Sequence, residues 1–131
     1  MLSLSKHVLA VTVLAVLVTG CSTQNKAEKE ADKITKAVIA NNMSPVMGDF
    51  DSQMRVKVTP VVVAQLSQEL NGQGKYQSIK EITPPNSAPG EHDFDAQFEK
   101  HMYSEVMVLD DSGAVRSWHI HMKNGAAPAT P

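Results

Sequence analysis

Apolar residues recur at helical spacing in the first half of the chain and at alternate positions in the second. Ala27, Ala31, Ile34 and Val38 fall three or four apart, with Glu28, Lys29, Asp32, Lys33 and Lys36 between them, which predicts a helix over 27–41. Asn41-Asn42 supplies its stop. Ser44-Pro45 offers a capping hydroxyl and a first-turn proline, predicting a second short helix that Gly48-Asp49 breaks. The stretch 50–58 is ambiguous, with Phe50, Met54 and Val58 at helical spacing. Thr59-Pro60 opens a clearer helix, a capping hydroxyl before a residue with no N–H to leave unpaired. Val62, Val63, Leu66 and Leu70 form its apolar stripe, and Gly72 is read as the left-handed residue that ends it.

The period then changes to two. Residues 75–82 read as a strand, and the prolines of 84–90 restrict that segment to a loop. Over 92–99, Phe94, Ala96 and Phe98 alternate with Asp93, Asp95 and Gln97. Residues 103–109 form a third strand and Asp110-Asp111-Ser112-Gly113 a turn. Residues 114–122 form a fourth, with Trp118, Ile120 and Met122 on one face. Helices followed by an antiparallel meander make the fold class α+β, with N-terminal helices packed on a curved antiparallel sheet of about four strands.

The first residues belong to neither pattern. Met1 to His7 is polar and carries Lys6; Val8 to Val18 has no charge, proline or glycine; Val18-Thr19-Gly20-Cys21 follows. A charged start, a short apolar run and small residues before a cut make a secretory signal. The run falls well short of the roughly 20 residues that a spanning helix needs. The cysteine, the only one in the chain, stands at the cut, so no internal disulfide can form. This resembles the lipobox of bacterial lipoproteins, with Val18 at the apolar position, Thr19 and Gly20 as the small residues and Cys21 as acceptor of the lipid. The resemblance implies a diacylglycerol thioether on Cys21, cleavage before it, and acylation (palmitate-type chains) of the freed amine. Several chains, at about 0.8 kcal/mol per buried methylene, anchor a protein stably. Ser22 in the next position implies sorting to the periplasmic face of the outer membrane in a Gram-negative cell. The expected organisation is a signal peptide over 1–20, a lipidated tether over 21–26, one domain over 27–124 and a disordered Pro/Ala tail over 125–131.

Removal of residues 1–20 leaves 111 residues, enough for one modest core. It also leaves 11 basic against 14 acidic residues, a formal charge of −3. No clustered basic stretch recommends nucleic acid as a partner.

The run Phe50-Asp51, Met54, Leu66, Gly74-Lys75-Tyr76-Gln77-Ser78-Ile79 and Val108-Leu109-Asp110-Asp111-Ser112-Gly113-Ala114-Val115 resembles a small bacterial family with the nuclear transport factor 2-like, cone-shaped fold. The resemblance covers about 27–123. It implies a pocket between helices and sheet, which in that superfamily serves isomerases, dehydratases, ligand binders and dimerisation modules. Fold therefore does not choose among these.

Three groups carry candidate chemistry. His119 and His121 share a strand face, and a hairpin turning symmetrically about Asp111-Ser112 would set Met102 opposite His121, Ser104 opposite His119 and Glu105 opposite Trp118. Imidazole and thioether suit copper, and imidazole suits zinc, so His119, His121 and Met102 form a candidate metal set; His101 would lie on the other face. The commoner reading of a lone His-x-His is an ordinary strand face. Asp93 and Asp95 oppose Phe94 and Phe98, as a solvated edge does. Glu105, beside Trp118, could be a general base if it stood in a dry pocket, against the commoner reading of a rim carboxylate. No Gly-x-Ser-x-Gly and no phosphate loop is present, and Met43, Met47 and Met54 read as adaptable core filling.

These features point to a non-enzymatic envelope lipoprotein without a cofactor. Its domain is expected to bind a small apolar or amphipathic ligand, or an envelope protein, in a pocket around Phe50, Leu66, Tyr76, Phe98, Tyr103 and Trp118. A homodimer through the sheet is compatible with the pattern. The alternatives are copper or zinc binding through His119 and His121, and a small isomerase or lyase using Glu105.

Overall fold

The computed structural model describes residues 25–124, so the expected signal peptide, Cys21 and the tail over 125–131 lie outside the described residues. The architecture is α+β, with helices on one face of a four-stranded antiparallel sheet. Helix α1 spans Lys26–Ile39, one residue earlier than its apolar pattern begins, because the Asn25 side chain caps it by accepting from the Glu28 N–H at 2.8 Å. Ala27, Ala31, Ile34, Thr35 and Val38 form its buried stripe, and the two alanines let the helix lie close to the sheet. Asn41, with φ of 51°, takes the left-handed position just past its end.

Two local expectations are corrected. Ser44-Pro45 forms only a turn, and the ordered element beyond it is a 3-10 turn over Met47–Asp49, so Gly48-Asp49 builds the element it was expected to break. Gly72 is right-handed, with φ of −64°; the left-handed residue is Gly74, at 81°, because α3 unwinds through one more turn before the sheet begins. The ambiguous stretch resolves into helix α2, Ser52–Lys57, which Asp51 caps by accepting from the Met54 N–H at 2.7 Å. Helix α3 spans Pro60–Asn71 behind its Thr59 cap. Ser67 and Asn71 of α3 donate to the Ile39 carbonyl at 3.1 and 3.0 Å, satisfying a helix-end acceptor that α1 cannot serve itself.

Strands β1 (Tyr76–Glu81), β2 (Glu91–Phe98), β3 (Met102–Leu109) and β4 (Val115–Met122) lie in sequence order. Phe94, Ala96, Phe98, Tyr103, Glu105, Met107 and Trp118 face the helices. Simple alternation fails at two places. Tyr76 pairs with Phe98 and Ser78 with Gln97, leaving Gln77 as an extra residue, so Tyr76 and Ile79 both face inward although three apart. Val108 pairs with Ser117 and Leu109 with Val115, leaving Arg116 extra, so Val115 and Trp118 are both buried. The second bulge also lies behind a correction of register: Glu105 pairs with Ile120, Val106 with His119 and Ser104 with His121, two residues from the symmetric hairpin.

Gly90 enters β2 with φ of 78°, and a β-carbon there would run into the carbonyl oxygen of Leu109. Gly90→Ala is therefore expected to cost about 2 kcal/mol or more, read as a lowered urea midpoint at unchanged slope.

Candidate functional site

Two features stand out on the helix side of the sheet, and they share Trp118. The first is a buried carboxyl. Glu105, on β3, is fully buried. It accepts from the Thr35 hydroxyl of α1 at 2.7 Å and from the Trp118 indole N–H of β4 at 2.6 Å. Desolvation raises its pKa from the usual 4.5 to about 7; the Trp118 and Thr35 hydrogen bonds work in the opposite direction, and the nearby Asp32 charge adds to the rise. Asp32 accepts from the Tyr76 hydroxyl at 2.8 Å and from Lys36 at 2.6 Å. Burial and the Asp32 carboxylate push the Tyr76 hydroxyl well above the ordinary tyrosine range.

The second feature is a groove of about 280 Å³ between α2, α3 and β4, at the C-terminal end of α1. Val38, Met43, Phe50, Met54, Val58, Val62, Val63, Leu66, Trp118 and Ile120 line it, and Lys57, Ser117 and His119 are its polar residues. Four consecutive β4 residues, Ser117 to Ile120, take part, so the groove follows the outer edge of that strand rather than one face. The α3 stripe is turned accordingly: Val63 and Leu70 are buried, whereas Val62 is half exposed and Leu66 only partly buried. Val56 and Val61 are exposed nearby in sequence, at 77% and 66%.

The residues expected in a pocket divide. Phe50, Leu66 and Trp118 line the groove. Tyr76, Phe98 and Tyr103 do not; they stack in the core with ring centroids 5.3 Å apart for each neighbouring pair. Burial and Glu69, which accepts from the Tyr103 hydroxyl at 3.1 Å, push that hydroxyl up to about 12. Glu105 and Trp118 meet as expected but by a diagonal contact, since Ile120 is the residue opposite Glu105. Glu105 is sealed behind Trp118 and lines none of the described cavities.

The metal set is not assembled as the symmetric hairpin would place it. Met102 pairs with Gln97, while His121 pairs with Ser104. His119 and His121 are exposed, and the His119 Nε2 lies 3.0 Å from the Ser117 hydroxyl. Among the described residues no three His, Cys, Asp or Glu side chains are grouped as metal ligands. Asp93 and Asp95 are half-buried on the face opposite the helices, where Asp95 pairs with Lys123 at 2.7 Å. Sequence reasoning missed Thr35 and Lys57: a threonine inside an apolar helical stripe and a cation ending a short helix carry weak signals alone.

No family model, curated protein or solved structure matches this chain. Among the described residues no helix is long and apolar enough to cross a membrane.

The Glu105 cluster predicts a pH dependence of stability. In the fold the carboxyl holds its proton up to about pH 7, and in the unfolded chain only to about 4.5. Its favourable contribution is complete below the lower value and is lost as pH rises through the upper one, by up to roughly 3 kcal/mol. Thermal melts are expected to fall between pH 5 and pH 8. Glu105→Gln, whose amide can accept from Trp118 and donate to Thr35, is expected to flatten that fall and to stabilise the protein at pH 8. An unchanged pH dependence in the variant would show that Glu105 is not the titrating group.

Proposed function

We propose that this protein is an envelope lipoprotein, anchored through lipid on Cys21, whose domain holds a small apolar or amphipathic ligand in the groove beneath α2 and α3. The observation that carries the reading is the groove itself: ten apolar side chains around about 280 Å³, with Val62 half exposed at α3. That volume stands at the low end of small-molecule sites, which run from about 300 Å³ upward. Exposed apolar surface continuous with a cleft marks a ligand groove or an interaction surface. The helix-then-meander order and the placement of all helices on one sheet face support a cone of the nuclear transport factor 2-like kind. The lipobox supports the anchor. The Ser117 hydroxyl and the His119 Nε2 lie 3.0 Å apart in the lining, but among the described residues no carboxylate hydrogen-bonds the His119 ring to orient it as a base, and Glu105 stands behind Trp118 as a positioning residue, so binding rather than catalysis is the reading favoured.

Trp118 is the only tryptophan in the chain and a wall of the groove, so its fluorescence reports occupancy. Terminally brominated dodecanol is expected to quench it saturably. Val62→Glu, at a half-exposed position, is expected to weaken that binding about tenfold while changing stability by no more than about 0.5 kcal/mol. Absence of saturable quenching would reject the ligand-binding reading. Separately, Cys21→Ala is expected to move the protein from the membrane to the soluble fraction of cells, and persistence in the membrane would reject the lipid anchor.

A further inference from the structure

We infer that the groove is built for a single-chain amphipath with an anionic head, a fatty carboxylate, seated with its tail along Trp118 and Leu66 and its head at Lys57 and His119. The inference rests on the ligand-binding reading above and gives it a chemical class. Its basis is the distribution of charge around the apolar lining. The chain carries 14 acidic residues and a formal charge of −2, yet none of the groove's lining residues is acidic. The two stretches that supply most of the lining are free of acid throughout. Between Asp51 and Glu69 there is no Asp or Glu, and after Asp111 there is none to the end of the chain. The same stretches hold Arg55, Lys57, Arg116, His119 and His121.

Of these groups, Lys57 and His119 line the groove, together with Ser117. Lys57 is the last residue of α2, and the start of that helix is fixed to β4 by the Phe50–Val115 bridge and the Asp51 N–H bond to the Val115 carbonyl at 3.0 Å. The element that carries Lys57 is thus joined by backbone to the strand that carries Ser117 and His119. Arg55 is committed elsewhere, its Nε donating to the Phe50 carbonyl at 2.9 Å. With the Trp118 N–H held by Glu105, that leaves the Lys57 ammonium and the Ser117–His119 pair, which share one hydrogen bond at 3.0 Å, as the side-chain donors of the lining. β4 is also an edge strand, and an edge leaves a row of backbone N–H groups unpaired by the sheet. A head with one negative charge matches one lysine. A phosphate monoester, with close to two charges, would leave charge unmatched.

The test uses the full-length protein, held in an amphipathic polymer, with Trp118 quenching by three terminally brominated probes that share one tail: dodecanoate, dodecanol and dodecyl phosphate. Dodecanoate is expected to bind about tenfold more tightly than dodecanol, with dodecyl phosphate no tighter than dodecanoate. Lys57→Gln is expected to remove most of the preference for dodecanoate over dodecanol. Lys57→Glu is expected to favour a dodecylamine probe over dodecanoate. Lys57 is exposed, so both variants are expected to fold, which an unchanged circular dichroism melt verifies. Equal binding of dodecanoate and dodecanol, or a preference that survives Lys57→Gln, would overturn the anionic-head inference while leaving the groove as a ligand site. Tighter binding of dodecyl phosphate would overturn the carboxylate assignment. Failure of every probe would overturn both readings.

Discussion

The carboxyl of Glu105 is the polar group around which the core closes. A fully buried carboxyl is costly to desolvate, and it persists here because two donors meet it from different elements, Thr35 from α1 and Trp118 from β4. Those two hydrogen bonds tie the long helix, the third strand and the edge strand to one another at a single point. They also fix the Trp118 ring. With its N–H held from behind, the indole presents its remaining surface as a wall of the groove. The shape of the groove thus depends on a hydrogen bond that no ligand touches, and a strained or vacant Glu105 position would be felt on the far side of the ring.

A second constraint comes from how charge is divided along the chain. α1 and the strand pair β1–β2 carry seven of the 14 acids, and two of these are spent on internal ties: Asp32 on Tyr76 and Lys36, and Glu81 on Asn25, Thr83 and His92. From Ser52 to Gln68, and along β4, there is no acidic residue. A protein with an acidic balance overall can therefore present a cleft without acidic lining, something that net charge conceals.

Much of the architecture was legible because it rests on periodicity. The helices at Ala27 and Pro60 and the four strands follow from spacing three to four and spacing two, together with Thr59-Pro60 and the Asp110–Gly113 turn. The segment around Pro45 was not, because a cap and a proline permit a helix without supplying the buried stripe that stabilises one. The candidate pocket was half legible. An aromatic residue announces burial but not whether it lines a cavity or fills one, and Phe98 and Tyr103 are packed against each other while Trp118 faces space. Glu105 and Trp118 were recognisable as neighbours because an error of two residues in register preserves the face. Lys57 was hidden because its importance comes from what surrounds it, a wall without acids, and that wall is assembled from segments far apart in sequence.

The extra residue at Arg116 acts as a phase shift in the pleat. Val115 faces inward, and strict alternation from it would send Ser117, His119 and His121 toward the helices and turn Trp118 and Ile120 to the opposite side. One residue thus decides which of two incompatible side-chain sets meets Glu105. Loss of that single codon would not shorten the protein so much as turn half a strand inside out, exchanging an indole for imidazoles at its centre. Length in this turn is therefore structural information in its own right, and the number of residues between Gly113 and Trp118 is as much a part of the site as either residue's identity.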